Sequence, residues 1–173
     1  YDKNQCHSPN PDVHDKTMGR IFKITHRNDK WVQADLSKLS GTALVDLQLH
    51  KNDWYVRHAR LILQERGPNR KVHKALRSIL DNNPDVTRKL RALWALHVTK
   101  GISEEDLMKL LAHESEYIRS WSIQLLAEDN SLSAEAIQRF ADMARRDQSP
   151  LVRLYLASAL QRITPDQRCG FHS

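Results

Sequence analysis

Between positions 35 and 163, apolar residues recur every three to four positions, the period of an amphipathic helix, and short polar clusters interrupt them. The pattern predicts eight helices. The first covers about 42–50. The second covers 54–66, with Asp53 as its N-cap and Gly67-Pro68 as its stop. The third, 70–81, ends at the turn Asn82-Asn83-Pro84-Asp85, and the fourth, 86–99, ends before Gly101. The fifth follows Ser103, whose spacing from Asp106 fits a capping box, and ends near His113. The sixth runs from Ser115 to about Ala127, and the seventh from Ser133 to about Arg146. The eighth opens on Ser149-Pro150 and ends near Arg162, before Thr164-Pro165. Upstream the period drops to two. Gly19-Arg20-Ile21-Phe22-Lys23-Ile24-Thr25 alternates basic and apolar residues and predicts a short strand, with Trp31-Val32-Gln33 as a pairing segment.

The helices repeat. Val56-Arg57, Ile118-Arg119 and Val152-Arg153 open three of them alike, and Val86-Thr87-Arg88 opens a fourth with one residue inserted. The arginines stand 31, 31 and 34 positions apart. Two helices per period of this length predict an all-α solenoid, because one helical pair cannot bury both its apolar faces and must stack on neighbours. Four pairs fall at about 38–66, 70–100, 103–128 and 133–163. The expected organisation is an N-terminal extension containing β structure at 1–34, a repeat domain at 35–163 and a tail at 164–173.

These pairs resemble HEAT repeats, whose second helix often opens on Val-Arg after a turn. A narrower resemblance rests on three stretches. They are His50-Lys51-Asn52-Asp53-Trp54-Tyr55-Val56-Arg57, Leu90-Arg91-Ala92-Leu93-Trp94-Ala95-Leu96-His97 and Arg153-Leu154-Tyr155-Leu156-Ala157-Ser158-Ala159-Leu160-Gln161-Arg162. They look like the helical region of large planctomycete and verrucomicrobial proteins of the membrane-bound dehydrogenase type. Members of that family join a sorbosone/glucose dehydrogenase-like propeller to HEAT repeats and, in many cases, a cytochrome c-like domain. Tyr1 to His7 and Gly19 to Ile24 resemble the propeller's exit. The resemblance implies export to the periplasm or membrane, and pyrroloquinoline quinone and haem c in the whole protein. It assigns neither cofactor to this chain, which lacks the propeller and any C-x-x-C-H motif. The ends, Tyr1-Asp2-Lys3 and Cys169 to Ser173, are expected to be those of an excised piece.

Composition narrows the functional classes. With 40% apolar and 28% charged residues in 173, the chain can form a packed core, and no apolar run is long enough for a transmembrane helix. Two cysteines are too few for a disulfide framework. The net charge of +6 is uneven. Positions 51–100 hold 12 Lys/Arg against 4 Asp/Glu, and 101–147 hold 5 against 10. A dipolar surface suits an acidic protein partner on the first half, around Arg57, Arg60, Arg70, Lys71 and Lys74. The alternative is a nucleic-acid-binding protein of the HEAT-like alkylpurine DNA glycosylase type, with Trp and Tyr interleaved among the basic residues.

The candidate residues each carry two readings. Arg57, Arg119 and Arg153 form a row able to grip carboxylates or phosphates. The favoured reading makes them pins onto an Asp or a carbonyl of an adjacent repeat. Trp54, Trp94 and Trp121 suit base stacking, but core packing is the favoured reading. Cys6, His7, Asp12, His14 and Asp15 are of metal-ligand types but match no specific zinc spacing, and Cys169 with His172 has a zinc-compatible spacing but needs two further ligands. No nucleophile–base or phosphate-loop motif occurs. The expected role is therefore a non-catalytic scaffold. The last pair, with Leu156 and Leu160, is expected to leave an apolar side open for a partner or for self-association.

Overall fold

The computed structural model describes His26 and residues 34–163. The strand and hairpin expected at 19–33, the cysteine–histidine candidates and the C-terminal tail lie outside these residues. The chain divides into two compact units between Ala34 and Asp35, and the second carries everything described below.

Among the described residues the protein is all-α, with no strand. The helices are α1 (Gly41–Asp46), α2 (Asp53–Arg66), α3 (Arg70–Asn82), α4 (Val86–Val98), α5 (Glu104–Leu110), α6 (Glu116–Leu126), α7 (Ala134–Arg146) and α8 (Pro150–Leu160). Short 3-10 turns cover Leu36–Lys38 and Leu47–Leu49. Side chains cap the starts because Ser, Asn and Asp satisfy amide groups that the helix itself leaves unpaired. Ser40, Asn69, Asp85, Ser133 and Ser149 do so for α1, α3, α4, α7 and α8. Ser103 and Asp106 complete the capping box of α5. Gly67 ends α2 at φ 74°, a conformation that favours glycine.

One cap differs from the sequence reading. Asn52, not Asp53, caps α2, accepting the Trp54 N–H at 3.0 Å. The reason is visible in the site: Asp53 is engaged by two arginines and sits inside the first turn, where its charge suits the helix dipole.

Each odd-numbered helix packs on the one that follows it, giving the pairs α1–α2, α3–α4, α5–α6 and α7–α8. The second helices also touch in chain order, α2 to α4 to α6 to α8. Between them lies the core: Val56, Ala59 and Leu63 of α2, Leu93 and Leu96 of α4, Ile118 and Ile123 of α6, and Val152 and Leu156 of α8. Leu156 is thus covered and Leu160 half-covered, unlike the open last face expected from the sequence. Val152, Leu156, Ala159 and Ile163 recur at helical spacing, and all four are buried.

Arginines tie the pairs together. Arg77 of α3 donates to the Gly101 carbonyl and to Asp106 of α5, both at 2.8 Å. His73 of α3 reaches the Thr99 carbonyl, and its ring lies so close to Gly101 that an added Cβ would stand 2.5 Å from it. Arg77's hydrogen bond, helped by Ser103, holds the Asp106 carboxyl down to about 2. A depressed carboxyl stabilises the fold above its unfolded value and stops doing so as pH falls through its folded one. Asp106→Asn should therefore flatten the loss of stability between about pH 4 and pH 2. Both partners meet solvent, so the effect at neutral pH should be only about 0.5–1 kcal/mol. Urea midpoints measured against pH for the two proteins check this.

Candidate functional site

Each second helix contributes one side chain to a single row. Arg60 comes from α2, Trp94 from α4, Trp121 from α6 and Tyr155 from α8, and all four are half-buried. The Arg60 guanidinium lies over the Trp94 ring at 5.3 Å from its centroid. Trp94 meets Trp121 edge-on at 4.8 Å, with 69° between the planes, and Trp121 meets Tyr155 at 6.4 Å. Both arrangements suit the ring quadrupole, and the cation suits a ring face.

At its Arg60 end the row walls an open pocket of about 350 Å³. Val98 and Leu125 supply further apolar surface, and His97 and Glu128 close one side through a hydrogen bond between them. Two donors in this site have nothing to donate to. Arg60 Nη1 and Trp94 Nε1 are both covered and unpartnered. Burial lowers the pKa of Arg60, with Arg57 and Arg91 pushing the same way against the attraction of Asp53. Its ordinary value is high enough that the group stays charged at neutral pH.

Asp53, the acid that attracts Arg60, is already taken. Arg57 Nε donates to Asp53 Oδ2 at 2.6 Å, and Arg91 Nη2 to Oδ1 at 3.2 Å. Arg91 also holds the carbonyls of Gln48 and His50, which anchors it between the first two pairs. Both Asp53 oxygens are therefore engaged, and Arg60 bonds to neither.

Comparison with known protein families, curated proteins and solved structures finds no match to the chain. The site stands on its geometry alone.

The residues singled out from the sequence disperse over this structure. Arg57 is tied to Asp53 of its own helix rather than to a neighbouring pair. Arg119 reaches forward, gripping Asp147 through Nε at 2.8 Å and Nη2 at 3.0 Å, and holds the His113 and Glu114 carbonyls at 2.9 Å. Arg153 donates to the Asp147 carbonyl at 3.0 Å. Trp54 is not core: it is 45% exposed and stacked on His58. Trp94 and Trp121 are half-buried and face the pocket. Of the basic set, Arg70 and Lys74 share an open groove on α3 with His73, Arg77 and Asp81, while Arg57 and Arg60 belong to α2. Lys71 is exposed on α3. The set therefore does not form one pocket.

Among the described residues, no group of three His, Cys, Asp or Glu side chains is placed to hold a metal ion. No described helix is long and apolar enough to cross a membrane.

Proposed function

We propose that the four helical pairs form a HEAT-like stack that serves as a scaffold for protein–protein contact, without chemistry of its own, inside a larger dehydrogenase of the quinoprotein type. Quinone and haem chemistry belong, on this reading, to other parts of that protein. The order of packing supports the stack, since each second helix touches the next. The observation that carries the function is where the exposed large apolar side chains lie. Trp54 and Leu61 on α2, Tyr117 on α6 and Leu154 on α8 are all on second helices, the layer that also bears the Arg60–Tyr155 row. Exposed aromatic and apolar groups concentrated on one layer mark a surface that expects cover.

A photoreactive amino acid placed at Tyr117 in the full-length protein, in its own host, should crosslink to another polypeptide or to a neighbouring domain. The same group at Glu105, on a first helix, should crosslink far less. Equal crosslinking from both positions, or none from Tyr117, would remove the reading.

A further inference from the structure

Arg60, at the end of the row, is the guanidinium of its cluster that no described carboxylate pairs with. Three guanidiniums, Arg57, Arg60 and Arg91, stand around Asp53, and both its oxygens are occupied by Arg57 and Arg91. Arg60 forms no hydrogen bond and no ion pair; its contact is with the Trp94 face. A half-buried guanidinium without a carboxylate partner has paid part of its desolvation and gains from an anion that reaches its open edge. Beside it, Trp94, Val98, Trp121 and Leu125 form an apolar corner too open to be core. We propose that this pocket is the docking site for an acidic peptide segment of a protein partner. In it, a Glu or Asp carboxylate lies on Arg60 and a neighbouring aromatic or aliphatic side chain lies against Trp121 and Leu125.

Charge complementarity decides the occupant. Arg57, Arg60 and Arg91 outnumber Asp53 and Glu128 around the pocket, which disfavours a basic segment, and the two indole walls favour an apolar side chain next to the carboxylate over a bare anion. A guanidinium takes a carboxylate in a planar two-point grip, and the low local dielectric beside the indoles strengthens it. Nη1 of Arg60 is covered by protein, so the grip falls to Nε and Nη2, neither of which bonds to a described residue. Glu128, tied to His97 in the same pocket, repels a second carboxylate there and so orients the segment. This inference rests on the scaffold reading and sharpens it to one pocket and one partner chemistry.

The test uses a fluorescein-labelled peptide, Gly-Ser-Glu-Glu-Phe-Glu-Gly-Ser, with anisotropy as the readout. The full chain should bind it, and Arg60→Met should weaken binding roughly tenfold or more, as expected for an arginine at the centre of a contact. Lys74→Met, which removes one charge from the groove on α3, should leave binding within about twofold. Replacing the three Glu of the peptide by Gln should abolish binding, and a short DNA duplex should not displace the acidic peptide. The inference falls if the Gln peptide binds equally or if Lys74→Met costs as much as Arg60→Met. It falls also if the duplex competes. Since Arg60 forms no hydrogen bond and loses only its contact on the Trp94 face, which Met can replace in part, Arg60→Met should melt close to the parent's temperature. A variant that melts well below the parent would make Arg60 a structural residue and overturn the proposal. Trp121→Leu gives the second arm: it should weaken the acidic peptide and not a variant peptide with Gly in place of Phe. Failure here leaves the crosslinking result at Tyr117 untouched.

Discussion

Phe140→Ala should lower the stability of the repeat unit by about 3–5 kcal/mol, the range for truncating a fully buried aromatic. Phe140 has no exposed surface, and its partners on the buried side of α7 are Ala136, Ala141 and Met143. Two of the three are alanines. Phe140 and Met143 are therefore the large apolar side chains by which α7 is held, and α7 has a smaller interface with α8 than α6 has. For a unit of this size the loss corresponds to a fall in melting temperature on the order of 10 °C. If the pairs stack as proposed, the damage should also stay local. Hydrogen exchange should quicken across α7 and α8 while α3 and α4 keep their protection, because each pair is stabilised chiefly by its neighbours. Phe140→Leu, which keeps most of the volume, should cost about 1 kcal/mol. Calorimetry on the three proteins orders them. Equal effects from Ala and Leu would mean that the site collapses freely around the gap.

Arg119→Ala should cost about 3 kcal/mol, through a different mechanism. The Arg119 and Asp147 side chains are 17% and 10% exposed and meet through two parallel hydrogen bonds. Burial by itself would raise the Asp147 carboxyl. The hydrogen bond from Arg119 and the Ser149 N–H outweigh it, and the net shift is downward. Removing the arginine leaves a nearly dry carboxylate and two carbonyls, those of His113 and Glu114, without their donor. The pair joins α6 to the turn before α8, so the variant should loosen the junction between the third and fourth pairs. The double variant Arg119→Met, Asp147→Asn removes both charges and keeps an acceptor for Ser149. It should be more stable than Arg119→Ala alone, because an unpaired buried charge costs more than a missing ion pair. Urea unfolding of the single and double variants decides it. A double variant less stable than the single one would show that the pair contributes net stability.

Much of the helical plan is legible from local chemistry. Gly67-Pro68, the Ser103–Asp106 spacing and Ser149-Pro150 each act within a turn of the residues they cap or stop, so their effect is written beside them in the chain. The α2 start shows the limit. Asn52 and Asp53 are both able cap residues, and what separates them is Arg91, far along the chain, which together with Arg57 engages Asp53. The Asp53–Arg57 contact itself was readable from its i, i+4 spacing. The row was not. Arg60 reads as a surface charge, and Trp94 and Trp121 read as core. Their meeting depends on the register between α2, α4 and α6, a long-range outcome of side-chain packing that no window of sequence contains. One signal was present, namely one large planar or cationic side chain midway along each second helix. Its meaning needs the angle at which those helices cross.

The contact between Trp94 and Trp121 spans the seam between α4 and α6, the middle of the four pairs. Two indoles this close and inclined to one another behave as coupled chromophores, and the sign and size of their near-ultraviolet circular dichroism depend on their mutual angle. The protein thus contains an optical protractor at the seam between its second and third pairs. A bend that left every helix intact, and so left the far-ultraviolet spectrum unchanged, would still be written in the tryptophan couplet.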